Sequence, residues 1–227
     1  MPVAGATLPA RMVTKLIEGH TRFRKDYFDH ERELFETLAK GAQRPLALML
    51  ACCDSRVVPN LLVNAHPGDL FVVRNIGNIV PVFRPQDQIN HSVGAALEYA
   101  VHILKVPHII ICGHTQCGGL QALAEGPETL AAEMPTLAGW LRDALSVRER
   151  LASRWPGASV EEIARQLVFE NVVVQLENLL TYPVVRKALD ENRIEIHGWV
   201  YDLATAQVRV YEPGSNEFRP VELPSQR

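Results

Sequence analysis

The chain has 227 residues, of which 47% are hydrophobic, and this is ample for a substantial apolar core. Its formal net charge of −3 offers no broad basic surface, which argues against nucleic acid and anionic membranes as partners. The sequence shows neither a signal-peptide pattern nor the roughly 18 uncharged apolar residues of a membrane span. We therefore expect a cytoplasmic protein that acts on a small molecule.

The N-terminal segment is rich in charge, and its apolar residues recur at helical spacing. From about Ala10 to Lys40 this spacing predicts two amphipathic helices that lie on a larger unit. The apolar residues concerned are Leu16, Phe23, Tyr27, Leu34, Phe35 and Leu38. We divide the chain into an N-terminal helical arm, residues 1–44, and an α/β domain, residues 45–227, which together form a single domain overall.

Short, unbroken apolar runs begin after Pro45, and they predict strands that are buried on both faces, as in parallel sheets. The segments predicted as strands are 46–51, 70–73, 109–112, 194–202 and 207–211. An apolar stripe over 93–104 predicts a helix and a right-handed crossover between the second and third strands. Further helices are predicted around 137–151 and after Ser159, where Glu162 completes a capping box. The expected fold is α/β, with a central mostly parallel sheet of four parallel strands plus an antiparallel edge strand, flanked by helices.

Two thiols and one imidazole lie where predicted strands end. Cys52 ends the first strand, His114 follows the third, and Cys117 comes three residues later. Because ligands collect outside the carboxyl ends of parallel strands, we expect these side chains to converge on one site. Two thiolates and an imidazole suit zinc, and they leave a fourth position for water or Asp54.

The other two cysteines, Cys53 and Cys112, are not expected to close this site. Cys112 lies within a predicted buried strand, and Cys53 points away from Cys52 if the strand alternation persists. In a reducing compartment so few cysteines favour metal binding over disulfides. Since a structural zinc site would need a fourth protein ligand, the sequence predicts a catalytic one.

The residues around these ligands form longer motifs in a specific order. They are ACCDSRV at 51–57, GDLFVVRNIGN at 68–78, ALEYAV at 96–101, IIICGHTQCGG at 109–119 and NLLTYPVV at 178–185. The chain resembles the β-class carbonic anhydrases, and the resemblance extends from Leu16 to Tyr211. One departure is Cys53, where members of the family often carry serine.

The resemblance implies reversible hydration of carbon dioxide to bicarbonate and a proton, by attack of zinc-bound hydroxide. Cys52, His114 and Cys117 would hold the zinc. Asp54 and Arg56 match the family's paired carboxylate and guanidinium, in which the carboxylate stays ionised and accepts a hydrogen bond from the hydroxide. In some relatives this aspartate binds the zinc and turns the enzyme off. The residues of the motif do not decide whether the resting site here is open or closed by Asp54.

The resemblance also implies substrate-binding residues. Gln43 matches a glutamine that donates a hydrogen bond to the substrate oxygen, and Gly118 matches a residue whose backbone N–H approaches the ligand. Phe71, Ile76 and Tyr99 match an apolar wall suited to a nonpolar gas. In the family this tyrosine comes from the partner subunit, so the resemblance implies a homodimer, with a tetramer left open.

An inactivating bicarbonate pocket occurs in some relatives and includes a tryptophan three positions before the first cysteine ligand. Here that position is Met49. Together with Gln43 this favours a constitutively open site, although Arg74 matches another member of the pocket.

Several alternatives remain at this stage. Close relatives hydrolyse carbonyl sulfide or carbon disulfide with the same ligands, so the metal site cannot separate these substrates from carbon dioxide. A non-catalytic zinc-containing scaffold in a larger assembly also stays open. The cytoplasmic location includes packaging within a bacterial microcompartment as an alternative. Zinc deaminases are excluded by spacing, because Gln116 stands where they need a glutamate. Since two thiolates cancel the charge of the zinc ion, we expect activity to rise through mildly alkaline pH.

Overall fold

The computed structural model of the protein describes residues 10–85 and 92–221. The chain divides into two compact units, Met1–Gln43 and Arg44–Arg227. Our division at residue 44 stays a prediction. The first residues of the predicted arm, 1–9, and the last residues of the predicted α/β domain, 222–227, lie outside the described residues. None of the helices within the described ranges is long and apolar enough to cross a bilayer.

From residue 10 onward, where the structure describes it, the first unit contains two α-helices, α1 (Ala10–Arg22) and α2 (Arg32–Lys40), joined through a π-helical segment at Phe23–Phe28. Aromatic rings hold this unit together, because Phe35 lies 5.9 Å from Phe23, 6.0 Å from Tyr27 and 4.9 Å from Phe28, centroid to centroid. On α1, the side chains of Leu16 and Ile17 are exposed. The helical spacing in the sequence therefore predicts these two helices correctly.

In the described part of the second unit, the strands form one six-stranded sheet with the order β2-β1-β3-β4-β5-β6. The strands are β1 (Ala47–Cys52), β2 (Leu70–Asn75), β3 (His108–His114), β4 (Glu195–Tyr201), β5 (Val208–Glu212) and β6 (Glu217–Pro220). The first four are parallel, and β5 and β6 are antiparallel to their neighbours. All six residues of β1 are buried, as expected for a central parallel strand covered on both faces. The predicted α/β class is confirmed.

The strand β6 is absent from the sequence prediction. It pairs with β5 as a hairpin across a turn in which Asn216 has a φ of 55°. Three of its four residues are exposed, so it carries no apolar run, and Pro220 ends it at the sheet edge. The sheet thus has two antiparallel strands at this side, where the sequence predicted one.

Helices cover the sheet, and they bury one large core cluster and one smaller cluster. They are α3 (Pro59–Leu62), α4 (Ser92–Glu98), α5 (Gly118–Glu125), α6 (Pro127–Glu133), α7 (Pro135–Trp140), α8 (Arg142–Arg154), α9 (Val160–Leu179) and α10 (Pro183–Asp190). A π-helical segment, Tyr99–Leu104, continues α4. The capping box predicted for Ser159 and Glu162 is present at the start of α9.

Two glycines allow α9 to pack directly on the strands beneath it. A Cβ atom at position 113 would lie 2.7 Å from Cγ2 of Val172, and one at position 198 would lie 2.9 Å from Cγ1 of the same valine. Neither side chain could be accommodated without a shift of α9 or of the strands. Since Gly113 directly precedes His114, this contact also fixes the end of β3.

Buried amides of α9 fix the loop that follows β2. Asn171 Nδ2 donates to the carbonyl of Gly77 at 3.0 Å, and Gln175 Oε1 accepts from the backbone N–H of Val80 at 2.7 Å. Asn178 Nδ2 donates to the carbonyl of Val80 at 2.7 Å. Because buried backbone groups need partners, these amides hold the loop in a single conformation.

Candidate metal centre

Three ligand side chains converge at the carboxyl edge of the sheet. Cys52 is the last residue of β1, His114 is the last of the neighbouring β3, and Cys117 caps the N-terminus of α5. Their ligand atoms all lie within 4.8 Å of one another, and the two sulfur atoms are 3.9 Å apart. All three residues are buried. The structure therefore brings together the three residues that the sequence analysis selected.

The imidazole of His114 is oriented to use Nε2 as a ligand atom. Its Nδ1 lies 2.9 Å from the carbonyl of Thr115, and since a carbonyl only accepts, Nδ1 carries the proton. The Nε2 atom is then an acceptor, yet it is buried and has no hydrogen-bond partner in the described structure. A buried acceptor without a partner costs free energy, and a cation at this point would satisfy it.

The sulfur atoms of Cys52 and Cys117 are joined by one hydrogen bond. A hydrogen bond from Cys117 lowers the pKa of Cys52, against the opposing effect of burial, and the backbone N–H groups of Gly77 and Asp54 add to the lowering. The same hydrogen bond to Cys52, together with burial, raises the pKa of Cys117. A divalent cation favours two thiolates, so these sulfur atoms and the unpaired imidazole nitrogen fit zinc.

The other two cysteines stand apart from this cluster. Cys112 is fully buried within β3, where burial raises the pKa of its thiol to about 12. Cys53 is exposed, and its backbone N–H donates to the carbonyl of Asn75 at 3.0 Å. Neither belongs to the group of ligand atoms formed by Cys52, His114 and Cys117.

Asp54 and Arg56 form a two-point ion pair beside the three ligands. Arg56 Nε donates to Asp54 Oδ1 at 2.9 Å, and its Nη2 donates to Oδ2 at 2.7 Å. Hydrogen bonding from this guanidinium holds the pKa of Asp54 well below its usual range. Asp54 Oδ2 also lies 4.0 Å from Nε2 of His114. An ionised carboxylate is thus held next to the candidate metal position.

Backbone contacts that the sequence could not reveal support this pair. Arg56 Nη2 also donates to the carbonyl of Gln116 at 3.1 Å, and Gln116 has a left-handed φ of 57°. Arg74, on β2, donates from Nε to the carbonyl of Cys52 at 3.0 Å and from Nη2 to the carbonyl of Asp54 at 2.7 Å. The sequence analysis singled out Arg74 only as a match to the bicarbonate pocket of some relatives. In the structure its two hydrogen bonds hold the backbone of Cys52 and Asp54 in place.

Of the substrate residues suggested by the resemblance, Ile76 and Gly118 lie near the ligands. Ile76 follows Asn75, which is level with Cys52 in the sheet, and Gly118 directly follows Cys117. A Cβ atom at Gly119 would lie only 2.6 Å from Cγ2 of Ile76, so this side chain covers the start of α5 just after Cys117. A Cβ at Gly118 would meet nothing within 4 Å, which means that this position borders open space. Ile76 is 39% exposed, as a wall residue of an accessible pocket would be.

Phe71 and Tyr99 lie together elsewhere on the same chain. Their rings stack with centroids 5.9 Å apart. In the parallel register Cys52 is level with Asn75, and Phe71 is level with Leu48. Four residues of strand separate those levels by about 13 Å, so the pair stands well down the sheet from the ligands. Gln43 is the exposed last residue of the first unit, and its role stays a prediction.

Two thiols and an imidazole at the carboxyl edge of a parallel sheet, beside a paired carboxylate, are the donor set and the location of a metal site in an α/β enzyme. Residues 47–208 match the carbonic anhydrase family model. A carbonic anhydrase of Pseudomonas aeruginosa is 42% identical over 203 residues, covering 89% of each chain. The chain belongs to the β-class carbonic anhydrases, a family of enzymes.

Solved structures show the same likeness. The structure of the β-carbonic anhydrase CcaA superimposes with a TM-score of 0.83 at 37% identity, covering 92% of this chain and 100% of that one. One of two tetrameric β-carbonic anhydrases of Sordaria macrospora superimposes with a TM-score of 0.75 at 29% identity, covering 88% of this chain and 96% of that one. The fold and the family therefore agree.

Proposed function

We propose that this enzyme hydrates carbon dioxide reversibly to bicarbonate and a proton, with zinc held by Cys52, His114 and Cys117. The convergence of these three buried donors carries the proposal, together with Nε2 of His114, which has no hydrogen-bond partner among the described residues. Zinc bound by these side chains would acidify a water molecule and so supply the nucleophile near neutral pH.

Asp54 acts as the acceptor that orients the nucleophile. Its pKa is depressed by Arg56, so the carboxylate is ionised and cannot donate. Oδ2 faces the ligand cluster at 4.0 Å from His114 Nε2 and can accept a hydrogen bond from the reacting oxygen. We infer the open form of the site, because both carboxylate oxygens are engaged by Arg56 in this structure.

Ile76 and Gly118 form the part of the substrate pocket that this chain supplies beside its own ligands. An apolar wall at Ile76 suits a nonpolar gas, and the backbone N–H of Gly118, at the N-terminus of α5, can donate to the substrate oxygen. We assign Gln43 as a further donor to that oxygen, on the resemblance alone.

A second copy of the chain completes the pocket in this proposal. The Phe71–Tyr99 stack stands about 13 Å down the sheet from the level of Cys52, too far for it to line the pocket of its own chain. Tyr99 is 43% exposed and so is free to meet a partner. We therefore propose a homodimer, and the tetrameric relatives support a further doubling.

The decisive experiment is stopped-flow hydration of carbon dioxide by protein whose zinc content has been measured. We expect one zinc at this centre in each chain and activity that rises through mildly alkaline pH, and we expect Cys52→Ser to lose this zinc and the activity. The matched control is Cys53→Ser, because this exposed thiol lies one residue away and outside the ligand group. Zinc bound at this centre without any hydration would instead support a non-catalytic scaffold.

Parallel assays with carbonyl sulfide and carbon disulfide separate the remaining substrates. The same ligands and the same Asp54 would serve either hydrolysis, so a large excess of turnover for a sulfur substrate would reject carbon dioxide as the main one. A cytoplasmic location, free or within a microcompartment, stays a prediction from the sequence.

A further inference from the structure

A second group of metal-ligating side chains lies at the opposite end of the sheet from the first. His108 is the first residue of β3, and Glu195 and His197 are the first and third residues of β4. In the parallel register His108 is level with Glu195, and Ile110 is level with His197. Because side chains alternate along a strand, residues 195 and 197 share one face of the sheet.

The ligand atoms of these residues form a compact triangle. His108 Nδ1 and His197 Nε2 are 3.3 Å apart, and Glu195 Oε2 lies 3.8 Å from the first nitrogen and 3.7 Å from the second. Two ligand atoms of a tetrahedral zinc site, each bonded to the ion at about 2.0–2.1 Å, lie about 3.3–3.4 Å apart. The triangle is therefore only a few tenths of an ångström wider than one face of such a coordination sphere.

The charges of the group also suit a cation. Glu195 supplies one negative charge, so two imidazoles and a carboxylate would bind a divalent ion without large charge repulsion. The group is accessible, since the side chains of His108, His197 and Glu195 are 44%, 31% and 72% exposed.

This group is independent of the centre formed by Cys52, His114 and Cys117. The strand β3 runs from His108 to His114, and its six steps span about 20 Å. A metal held at His108 could not contact a reactant at His114. The two clusters therefore mark opposite ends of the same strand.

We propose that His108, Glu195 and His197 form a second metal site that binds a borderline divalent ion, Zn²⁺ in the first instance, and ties β3 to β4. Two imidazoles and one carboxylate leave at least one coordination position for water, as in open zinc sites. The ion stabilises the folded chain, because the three ligands are brought together only when the two strands pair.

Equilibrium dialysis of the zinc-loaded enzyme against buffered micromolar Zn²⁺ tests the site, with zinc counted by mass spectrometry. We expect two zinc ions per wild-type chain and one per chain in His108→Gln, His197→Gln and Glu195→Gln. Glu195→Gln is the safest of these for folding, because its side chain is the most exposed of the three. We also expect Zn²⁺ to raise the melting temperature of the wild type and not that of the variants.

His102→Gln is the matched control, because His102 is also an exposed histidine but belongs to neither cluster. It should keep two zinc ions per chain. A wild type that holds no more zinc than the three variants would overturn the proposal. Because the result is this difference in zinc content, it does not depend on the proposed catalytic centre, and carbon dioxide hydration in the three variants should equal that of the wild type.

Discussion

The contact between Gly113 and α9 predicts that one added methyl group will destabilise the protein and disturb the metal centre. In Gly113→Ala, the new Cβ would lie 2.7 Å from Cγ2 of Val172, a distance that side-chain carbons do not tolerate. Val172 is fully buried within α9, so it cannot rotate into solvent. Either α9 or the end of β3 must shift, and His114 is the next residue.

The magnitude follows from the cost of overpacking. An extra methyl group in a well-packed core costs about 1–3 kcal/mol. For a chain of this length this lowers the melting temperature by about 2–12 °C. Val172→Ala alone removes two methyl groups, which costs about 1.6 kcal/mol from lost burial and somewhat more from the cavity. The double variant should be less destabilised than the sum of the two single variants by about 1 kcal/mol or more, because the new methyl group occupies the vacated space.

Thermal and urea unfolding of the zinc-loaded enzyme, followed by circular dichroism, measures these free energies. Gly139→Ala is the control, since a Cβ at that position meets no atom within 4 Å. We expect it to leave the stability unchanged or slightly raised. The argument that Val172 packs against β3 only because residue 113 has no side chain would be refuted by either of two results. One is a Gly113→Ala variant as stable as the wild type, and the other is a double variant whose loss of stability equals the sum of the two single losses.

Three further predictions concern the metal centre and the buried thiol. Asp54→Asn should keep as much zinc as the wild type and lower kcat for carbon dioxide hydration by about 10²–10⁴-fold, because the amide cannot accept as a carboxylate does; a normal kcat would remove Asp54 from the mechanism. Arg74→Lys should lower kcat by up to about 10²-fold with little loss of zinc, because an ammonium group cannot reach the carbonyls of both Cys52 and Asp54 as the guanidinium does; kcat measured beside zinc content checks this. Burial raises the pKa of Cys112 from 9.0 to about 12, so the thiol contributes stability that is full below pH 9 and is lost as the pH rises towards 12. The free energy of unfolding, measured with urea, should therefore fall more steeply over this pH range for the wild type than for Cys112→Ala. Identical slopes for the two proteins would contradict the raised pKa of Cys112.

Much of the site could be predicted because it depends on strand ends. The apolar runs before Cys52 and before His114 mark buried parallel strands, and such strands end at a common edge. Because those two strands are adjacent, residues 62 positions apart in sequence meet within a few ångströms. The motifs around them identified the family, whereas the zinc itself and the roles of the individual residues stay proposals.

Other parts of the site could not be predicted, because they depend on backbone atoms and on side chains of ordinary appearance. Nothing in the sequence shows that Arg74 donates to the carbonyls of Cys52 and Asp54, or that Gln116 takes a left-handed conformation and accepts from Arg56. The strand β6 was missed because its exposed residues carry no apolar pattern.

The sequence by itself determines the local elements, since hydrophobic spacing and capping residues act over a few positions of the chain. It also determines the donor chemistry, because the thiols, the imidazole and the carboxylate are properties of the residues themselves. Only the tertiary structure decides the strand register, and the register is what sets His108 beside Glu195 and His197, 87 and 89 positions further along the chain. Such proximity arises when distant strands pair over a shared core, and no local pattern encodes it.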